Sequence, residues 1–237
     1  MKRLTILGIA IAGMVTAMPA SAQELGINPV RIEMVGNTRA AIVTVRNTSD
    51  APVNLQVRAM DWQQVDGKES FTPSDMLMAS PPMAALAPGE TQVVRLNVDG
   101  LPPGDVEKAF RLVLDQIPTV TPTEGTGMRI KLRVLLPVFV LPKGKASPDL
   151  HWAATRSDQG LILTATNNGT RHDRLIHMKV TVGTAAPIEV PSSNSAYILS
   201  SGSQSWTIVG VPAGAQSLHI SSDGDFGAVN ADVPITP

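Results

Sequence analysis

The feature that most constrains the fold is the density of chain-breaking residues. Nineteen prolines and nineteen glycines cut the 237 residues into short pieces. A proline inside a helix removes a backbone donor and clashes with the preceding turn, so long helices are disfavoured. Between the breaks, apolar residues recur at every second position, as in Thr91–Val98 (TQVVRLNV). Short alternating segments separated by turn residues predict an all-β protein built from sandwiches.

The first 22 residues are interpreted as an export signal. Lys2 and Arg3 precede a short apolar run, Leu4–Met18, and an A-S-A cleavage site ends at Ala22. The apolar run is shorter than the roughly 20 residues that a membrane-spanning helix needs. We therefore expect cleavage after Ala22, an exported mature chain and no membrane insertion of that mature chain.

Charge and cysteine content exclude several classes of protein. Loss of Lys2 and Arg3 lowers the number of basic residues from 19 to 17 against 20 acidic ones, a mature net charge of −3. This balance argues against nucleic acid as a partner.

The chain has no cysteine, so it contains neither disulfides nor thiol ligands. It has only eight aromatic residues, which predicts a core of Val, Ile, Leu, Ala and Met.

Most of the first part of the mature chain is predicted to form strands. The predicted strands are Gly26–Met34, Ala40–Arg46, Val53–Ala59, Thr91–Val98, Asp105–Ile117 and a strand within Gly127–Pro142. The last two are expected to pair as a hairpin. Val65–Met78 stays unassigned, and Ser80–Glu90 is expected to be a connection. After Met60 the apolar positions change phase towards Trp62, which predicts a bulge.

The composition changes after Pro142, where the polar segment Lys143–Pro148 (KGKASP) is the predicted boundary between a domain of residues 23–142 and one of residues 143–237. The strands predicted beyond it are Leu161–Thr166, Leu175–Val182, Ala196–Leu199, Ser205–Val211, Ser217–Ser221 and Ala228–Ile235. Two sandwiches joined by a short hinge are therefore expected.

The strand predicted within Gly127–Pro142 has two possible interpretations. Its apolar residues alternate with cations, which gives a strand one apolar and one cationic face. The apolar residues are Met128, Ile130, Leu132 and Val134, and the cations are Arg129, Lys131 and Arg133. The apolar face could simply pack into the core of its own sandwich. The strand also follows a polar loop rich in proline and glycine, Pro118–Gly127, where a long apolar strand is an aggregation hazard unless it serves as a docking edge.

No catalytic motif is recognisable. The sequence lacks a phosphate-binding loop, a zinc-protease helix and a nucleophile elbow, so we expect no enzyme and no cofactor. The four histidines are His151, His172, His177 and His219, and the pattern around His177 predicts an exposed strand residue. Asp223–Asp225 begins like a calcium loop but lacks its later ligands, so a tight turn is expected there.

Several segments together resemble the periplasmic pilus-assembly chaperones of the chaperone–usher pathway, the PapD-like family. They are PVRIEM, VRNTSDAP, the V-x-L-x-V strand that continues to Asp61-Trp62, ASPPMAALAPGETQVVRL, the segment Glu107–Pro118 and the alternating strand that ends at Pro142. The resemblance implies two immunoglobulin-like domains set as an L and a periplasmic location. It also implies a role without catalysis or cofactor: binding, folding and capping pilus or fimbrial subunits and delivering them to an outer-membrane usher.

The resemblance also implies a donor strand. In the family, alternating apolar residues of the last strand of the first domain fill a groove in an incomplete subunit. The matching residues here are Met128, Ile130, Leu132 and Val134. A donated strand satisfies the unpaired backbone groups and covers the apolar groove of the subunit at the same time.

The family's cleft residues are matched only in part. Arg31 matches the arginine that holds the C-terminal carboxylate of the subunit. Pro137 stands where the best-known members have a lysine, which leaves Arg95 and Arg133 as candidates for the second cation. The PVFV ending is more similar to the archaic branch of the family.

The family's interdomain ion pairing is also only partly matched. Glu107 and Asp225 stand at its acidic positions, but the arginine between them is replaced by Leu141. The hinge is therefore expected to be held by other residues.

Two other interpretations remain open. A secreted sandwich that binds carbohydrate or acts as an adhesive module would need exposed aromatic rings, for which Trp62, Trp152, Trp206 and Tyr197 are the candidates. A periplasmic metal carrier could use Met76 and Met78 together with a histidine.

Overall fold

The computed structural model describes residues 25–100, 104–117, 131–191 and 197–237, and the regular elements in these ranges are all strands. The first ten are β1 (Leu25–Asn28), β2 (Ile32–Met34), β3 (Ala40–Asn47), β4 (Val53–Val65), β5 (Lys68–Pro73), β6 (Leu77–Ser80), β7 (Met83–Leu86), β8 (Thr91–Val98), β9 (Lys108–Ile117) and β10 (Arg133–Val140). The other eight are β11 (Leu150–Ser157), β12 (Gly160–Asn167), β13 (Asp173–Thr181), β14 (Ile188–Glu189), β15 (Tyr197–Ile198), β16 (Ser203–Ile208), β17 (Ser217–Gly224) and β18 (Gly227–Thr236). Within these ranges the chain contains no helix that could cross a bilayer.

The first domain is a sandwich of two sheets. One sheet has the order β1-β3-β8-β6, and the other has the order β2-β10-β9-β4-β5 with β7 also paired to β4. Inward side chains from both sheets form a core of aliphatic residues around one aromatic ring, that of Phe110. The predicted aliphatic core and the all-β sandwich fold are confirmed.

The predicted strand Gly26–Met34 is instead two strands in different sheets. β1 pairs antiparallel with β3, and β2 pairs parallel with β10. Pro29 lies between them, and it offers no backbone donor to continue a ladder. The chain therefore crosses from one sheet to the other at this proline, and this crossing places Arg31 immediately before β2.

The bulge predicted after Met60 is wrong. β4 keeps a continuous register with β9 and then with β5. Its first half buries Val53 and Leu55 in the first-domain core, whereas its second half buries Trp62 and Gln64 on the opposite face. The hydrophobic phase changes because the second domain covers the other face of the sheet at this end.

Two connections also contain strands that the sequence pattern missed. The unassigned region Val65–Met78 contains β5 and the start of β6, and the predicted connection Ser80–Glu90 contains β7. β7 is a short edge strand of four residues that pairs with the start of β4. The strand is short, contains alanines and is flanked by prolines, so it shows no clear alternation of apolar and polar residues.

The predicted hairpin of β9 and β10 is confirmed. The two strands pair antiparallel from Arg133 opposite Asp115 to Val140 opposite Lys108. On its other side β10 pairs with β2 over Val138–Val140 only. In the part of the chain that the structure describes, no strand pairs with that side of Arg133–Pro137. We call this unpaired side the open edge.

The second domain has its own core. Its strands follow the order β14-β13-β17-β18-β11-β12-β16, and β15 pairs with β13. β11 and β18 pair in parallel over only two residues each. Side chains from the strands on both sides of this short pairing form the core. β11 and β14 were not predicted. β13 contains a bulge at His177, whose φ is 54°.

The joint between the domains is aromatic. Trp62 and Phe139 from the first domain pack against Tyr197 from the second, with ring centroids 5.5–5.9 Å apart. Leu141 and Leu199 complete the cluster. A chain with few aromatic residues therefore concentrates several of them where its two sandwiches meet.

A buried glutamine ties the two backbones together at this joint. The Gln64 Nε2 donates to the carbonyl of Tyr197 at 2.8 Å, and its Oε1 accepts from the backbone N–H of Leu199 at 2.9 Å. The side chain is almost fully buried, so neither contact can be replaced by water without rearrangement.

We expect Gln64→Leu to lower the free energy of unfolding by about 1–3 kcal/mol, because it removes the buried acceptor of the Leu199 N–H. Urea denaturation followed by tryptophan fluorescence measures this change. The control is Gln63→Leu at the neighbouring exposed position, where the change should stay within about 0.5 kcal/mol. Equal effects of the two substitutions would contradict the role given to Gln64.

Candidate functional site

One face of the sheet that contains β10 forms the floor of a cleft between the domains. Residues directly opposite each other on neighbouring strands share a face, so the register gives the layout of this floor. Its rows are Arg133–Asp115–Gln56, Leu135–Val113–Arg58 and Pro137–Arg111–Met60, followed by Phe139 and Trp62 at the joint. The second domain covers the aromatic end. At the other end, Leu135 is 37% exposed.

Arg111 is a buried cation in the middle of the floor, directly opposite Pro137. Its guanidinium lies 3.6 Å from the centre of the Trp62 ring, and its Nη2 is 3.6 Å from Oε1 of Glu69, which is longer than a hydrogen bond. Its buried Nε has no hydrogen-bond acceptor among the described residues. Burial lowers the pKa of Arg111, and Glu69 offsets this only in part. An arginine still stays charged, so this is an incompletely paired buried cation.

Three arginines surround the ring of Tyr197. The Cζ atoms of Arg31, Arg111 and Arg174 lie 5.9, 5.8 and 5.7 Å from its centroid. Arg174 comes from β13 of the second domain and is exposed. It forms no ion pair with any residue that the structure describes. Three guanidinium groups from both domains therefore lie around one ring where the two domains face each other.

Arg31 differs from the other two arginines because its charge is already paired. It forms ion pairs with Glu33 of β2 and with Asp225 of the second domain. Burial lowers the pKa of Arg31, but the hydrogen bonds and charges of Asp225 and Glu33 outweigh burial and raise it. Arg31 therefore links the domains, with its guanidinium at the margin of the cleft.

His172 is the centre of the charged part of the joint and is fully buried. Its Nδ1 lies 2.7 Å from Oε1 of Glu107, and its ring stacks on Phe139 at 3.7 Å. Its Nε2 lies 3.0 Å from a nitrogen of Arg31. Arginine can only donate, so this Nε2 accepts, and the Nδ1–H group donates a hydrogen bond to the carboxylate of Glu107.

Arg171 adds a second link between the domains. Its guanidinium donates to Glu33 at 2.7 Å and approaches Glu107 at 3.9 Å. Glu107 and Asp225, the predicted interdomain acids, thus contact cations of the opposite domain. Leu141 packs in the aromatic cluster, and Arg31, Arg171 and His172 occupy the bridging role that the sequence left unassigned.

Asp173 is a buried carboxylate beside this network. Burial raises its pKa, and the backbone hydrogen bonds from Arg174 and Asp225 offset this only in part. Its Oδ1 accepts from both of these backbone N–H groups, at 2.8 and 3.0 Å. Asp173 therefore fixes the turn that presents Asp225 to Arg31.

The two candidates for a second cleft cation lie apart from Arg31. Arg95 is exposed on β8, in the other sheet of the first domain. Arg133 lies at the open end of β10 and shares Asp115 with Arg58. Burial raises the pKa of Asp115, but hydrogen bonds from Arg133 and Arg58 outweigh burial and lower it. Pro137 is four positions beyond Arg133, which is about 13 Å along a strand.

The proposed donor residues are only partly described. Met128 and Ile130 lie outside the described residues. Leu132 and Val134 are half-buried and pack at the margin of the first-domain core. On the same face, Leu136 is fully inside that core. The apolar face of β10 therefore passes gradually from the core to the surface.

The remaining predicted features show no ligand site. His177 is exposed as predicted and contacts Asp223 at 3.0 Å. Among the described residues, no three His, Asp or Glu side chains come together as metal ligands. Of the four candidate rings for sugar stacking, Trp152 is half-buried and stacks on Trp206, with ring centroids 6.1 Å apart. Trp62, Trp206 and Tyr197 are buried. They therefore offer no exposed rings for stacking on a sugar.

Sequence reasoning missed Arg111, Arg174 and His172. Arg111 could have been found, because a hairpin register places it opposite Pro137, the position that lacks the expected lysine. Arg174 and His172 carried no signal, because their role depends on how the second domain packs against the first.

Known proteins resemble this chain in sequence and in fold. The chaperone protein FimB/FhaD of Bordetella pertussis is 29% identical over 163 residues, 65% of each chain. The uncharacterized fimbrial chaperone YcbF of Escherichia coli is 27% identical over 174 residues, 69% of this chain and 71% of that one. The chain thus matches about two thirds of the length of these relatives.

A solved structure shares the fold. It is the CsuC–CsuE chaperone–tip adhesion subunit pre-assembly complex from the archaic chaperone-usher Csu pili of Acinetobacter baumannii. The matched chain superposes with a TM-score of 0.69 at 22% identity, over 90% of this chain and 99% of that one.

The family described as pili and flagellar-assembly chaperone, PapD N-terminal domain, matches residues 24–146. This match covers more than half of the sequence, and the protein therefore belongs to the PapD-like pilus-assembly chaperones.

Proposed function

We propose that this protein is a periplasmic chaperone that binds pilus or fimbrial subunits by donating β10 to them and passes them to an outer-membrane usher. The observation that carries the proposal is the open edge of β10, which offers unpaired backbone groups next to a half-buried apolar face. Such an edge would be an aggregation hazard without a partner strand. The proposed role is binding, and no catalytic residue or cofactor is assigned.

The backbone of β10 specifies which groups are available. The carbonyl of Leu132 accepts from the N–H of Gln116 in β9, and the N–H of Leu141 donates to the carbonyl of Met34 in β2. The backbone groups of successive residues face opposite sides of a strand. The backbone carbonyls of Arg133, Leu135 and Pro137, and the N–H groups of Arg133 and Leu135, therefore face the open edge. Pro137 has no N–H, and proline is tolerated in a strand where its missing donor faces an edge. An incoming strand would pair with these residues while its apolar side chains cover Leu132 and Val134.

The arginines around Tyr197 suit the C-terminal carboxylate of a subunit. We place this carboxylate in the cleft, beside the incompletely paired guanidinium groups of Arg111 and Arg174. Arg31 lies at the margin of the same cleft. Arg111 thereby replaces the lysine that Pro137 cannot supply, since the two positions are directly opposite. Arg111 Nη1 donates only a long hydrogen bond, 3.5 Å, to the carbonyl of Leu135, and its Nε has no acceptor among the described residues. A carboxylate there would add a stronger charge-assisted hydrogen bond.

The exported location and the domain boundaries are part of the same proposal. We place signal cleavage after Ala22, the first domain at residues 23–142 and the second at 143–237. The first core uses no residue after Val140, the second core begins with Leu150, and the intervening segment contains no strand.

We expect Leu132→Asp to abolish stable complexes with a pilus subunit while the chaperone still folds. The half-buried side chain lies at the margin of the core, so a carboxylate there can reach water, whereas the apolar groove of the subunit cannot accept it. Co-purification of a subunit from the same gene cluster measures binding, and circular dichroism measures folding.

The matched control is Leu136→Asp on the same face, which should unfold the domain because Leu136 is only 4% exposed. A Leu132→Asp protein that captures subunit as well as the wild type would refute strand donation. Unfolding of both variants would place Leu132 in the core instead.

The carboxylate site predicts that Arg111→Met weakens subunit binding by about 2 kcal/mol or more, roughly 30-fold, because one partner of a buried ion pair is lost. Methionine keeps the contact with Trp62. The exposed Arg174→Gln should cost about 1 kcal/mol, roughly fivefold. Titration calorimetry with purified subunit measures both.

Two controls test whether the carboxylate binds at Arg111 or at Arg95, the candidate cation on the other sheet. Arg95→Gln should bind subunit like the wild type. A subunit whose C-terminus is extended by a few residues should bind weakly and equally to the wild type and to Arg111→Met. If Arg111→Met binds the natural subunit normally, the carboxylate lies elsewhere.

A further inference from the structure

A surplus of positive charge lies beside the open edge. Arg58, Lys131 and Arg133 line one shallow depression of about 570 Å³ together with Asp115. Asp115 is shared by Arg58 and Arg133, and Lys131 is exposed. Three cations therefore face one carboxylate, and no other carboxylate pairs with them among the described residues.

The position of these cations relates them to any strand added at the open edge. Arg133 and Lys131 point to the cleft floor, whereas Leu132 and Val134 point to the core face. A residue on an added strand directly opposite Arg133 would have its Cβ about 4.5–5.5 Å away and on the same face. The side chain of Arg133 is 62% exposed, so its guanidinium is accessible to such a neighbour.

We propose that these cations select the partner strand, so that the segment paired to β10 carries acidic residues on the face of the cleft floor and apolar residues on the core face. This inference rests on the proposed strand donation and adds a rule of specificity to it. Opposite charges directly across a ladder are favourable and like charges are unfavourable. A basic partner segment would therefore be rejected although it had the right apolar pattern.

The test uses three synthetic peptides of about ten residues, a typical strand length, with valine at alternate positions. The remaining positions are all glutamate, all serine or all lysine. Fluorescence anisotropy with labelled peptides measures their binding to the full mature chain. We expect the glutamate peptide to bind about tenfold or more tightly than the lysine peptide, and this preference should shrink at high salt.

The variant that tests the assignment is the double substitution Lys131→Gln with Arg133→Gln. It should reduce the preference for glutamate over lysine to within about twofold, at an unchanged melting temperature, because both substituted side chains are exposed. Arg95→Gln, an exposed arginine on the other sheet, should keep the full preference.

The outcomes are distinguishable. Equal binding of the three peptides to the wild type would overturn the charge rule and leave strand donation intact. A glutamate preference that survives in the double variant would also overturn it. Failure of all three peptides, including the serine one, would contradict strand donation itself and the charge rule with it.

Discussion

The contact between Glu107 and His172 is the interaction on which the geometry of the cleft depends. It is fully buried, it joins the two sandwiches, and it places Arg31 through the second nitrogen of the same imidazole. Removing the imidazole would leave the buried carboxylate of Glu107 without this hydrogen bond, at the cost of its desolvation, so such a joint tolerates little change in domain orientation. That orientation brings Tyr197 and Arg174 over the floor formed by β9 and β10. Without it, the three arginines would have no common centre.

β10 combines two roles that make opposite demands on a strand. Its last residues, Val138–Val140, pair with strands on both sides and are buried, in the first-domain core or at the joint between the domains. Its first residues lack a neighbour on one side, and Pro137 lies at the transition between the two regions. The strand is thus stably anchored at one end, while the other end remains free to pair with a partner.

Local features of this chain are readable from its sequence, and long-range ones are not. Thr91–Val98 was predicted with the observed bounds, and the hairpin of β9 and β10 follows from two alternating segments around a polar loop. The split at Pro29 was missed because the pattern does not show that the two halves pair with different sheets. The change of phase near Trp62 was visible, but its cause is the second domain. The same limit applies to Arg111, a charged residue within an apolar strand that becomes interpretable once its opposite neighbour is known.

Hydrogen exchange at the open edge tests the central claim most directly. The amides of Val134 and Leu136 face β9 and should already be protected in the free protein, whereas those of Arg133 and Leu135 should exchange readily. Residue-resolved NMR with and without a saturating pilus subunit reports both sets. Strand donation predicts that the subunit slows exchange at Arg133 and Leu135 and hardly changes it at Val134 and Leu136. Unchanged exchange at Arg133 and Leu135 in a complex shown to be fully formed would contradict it.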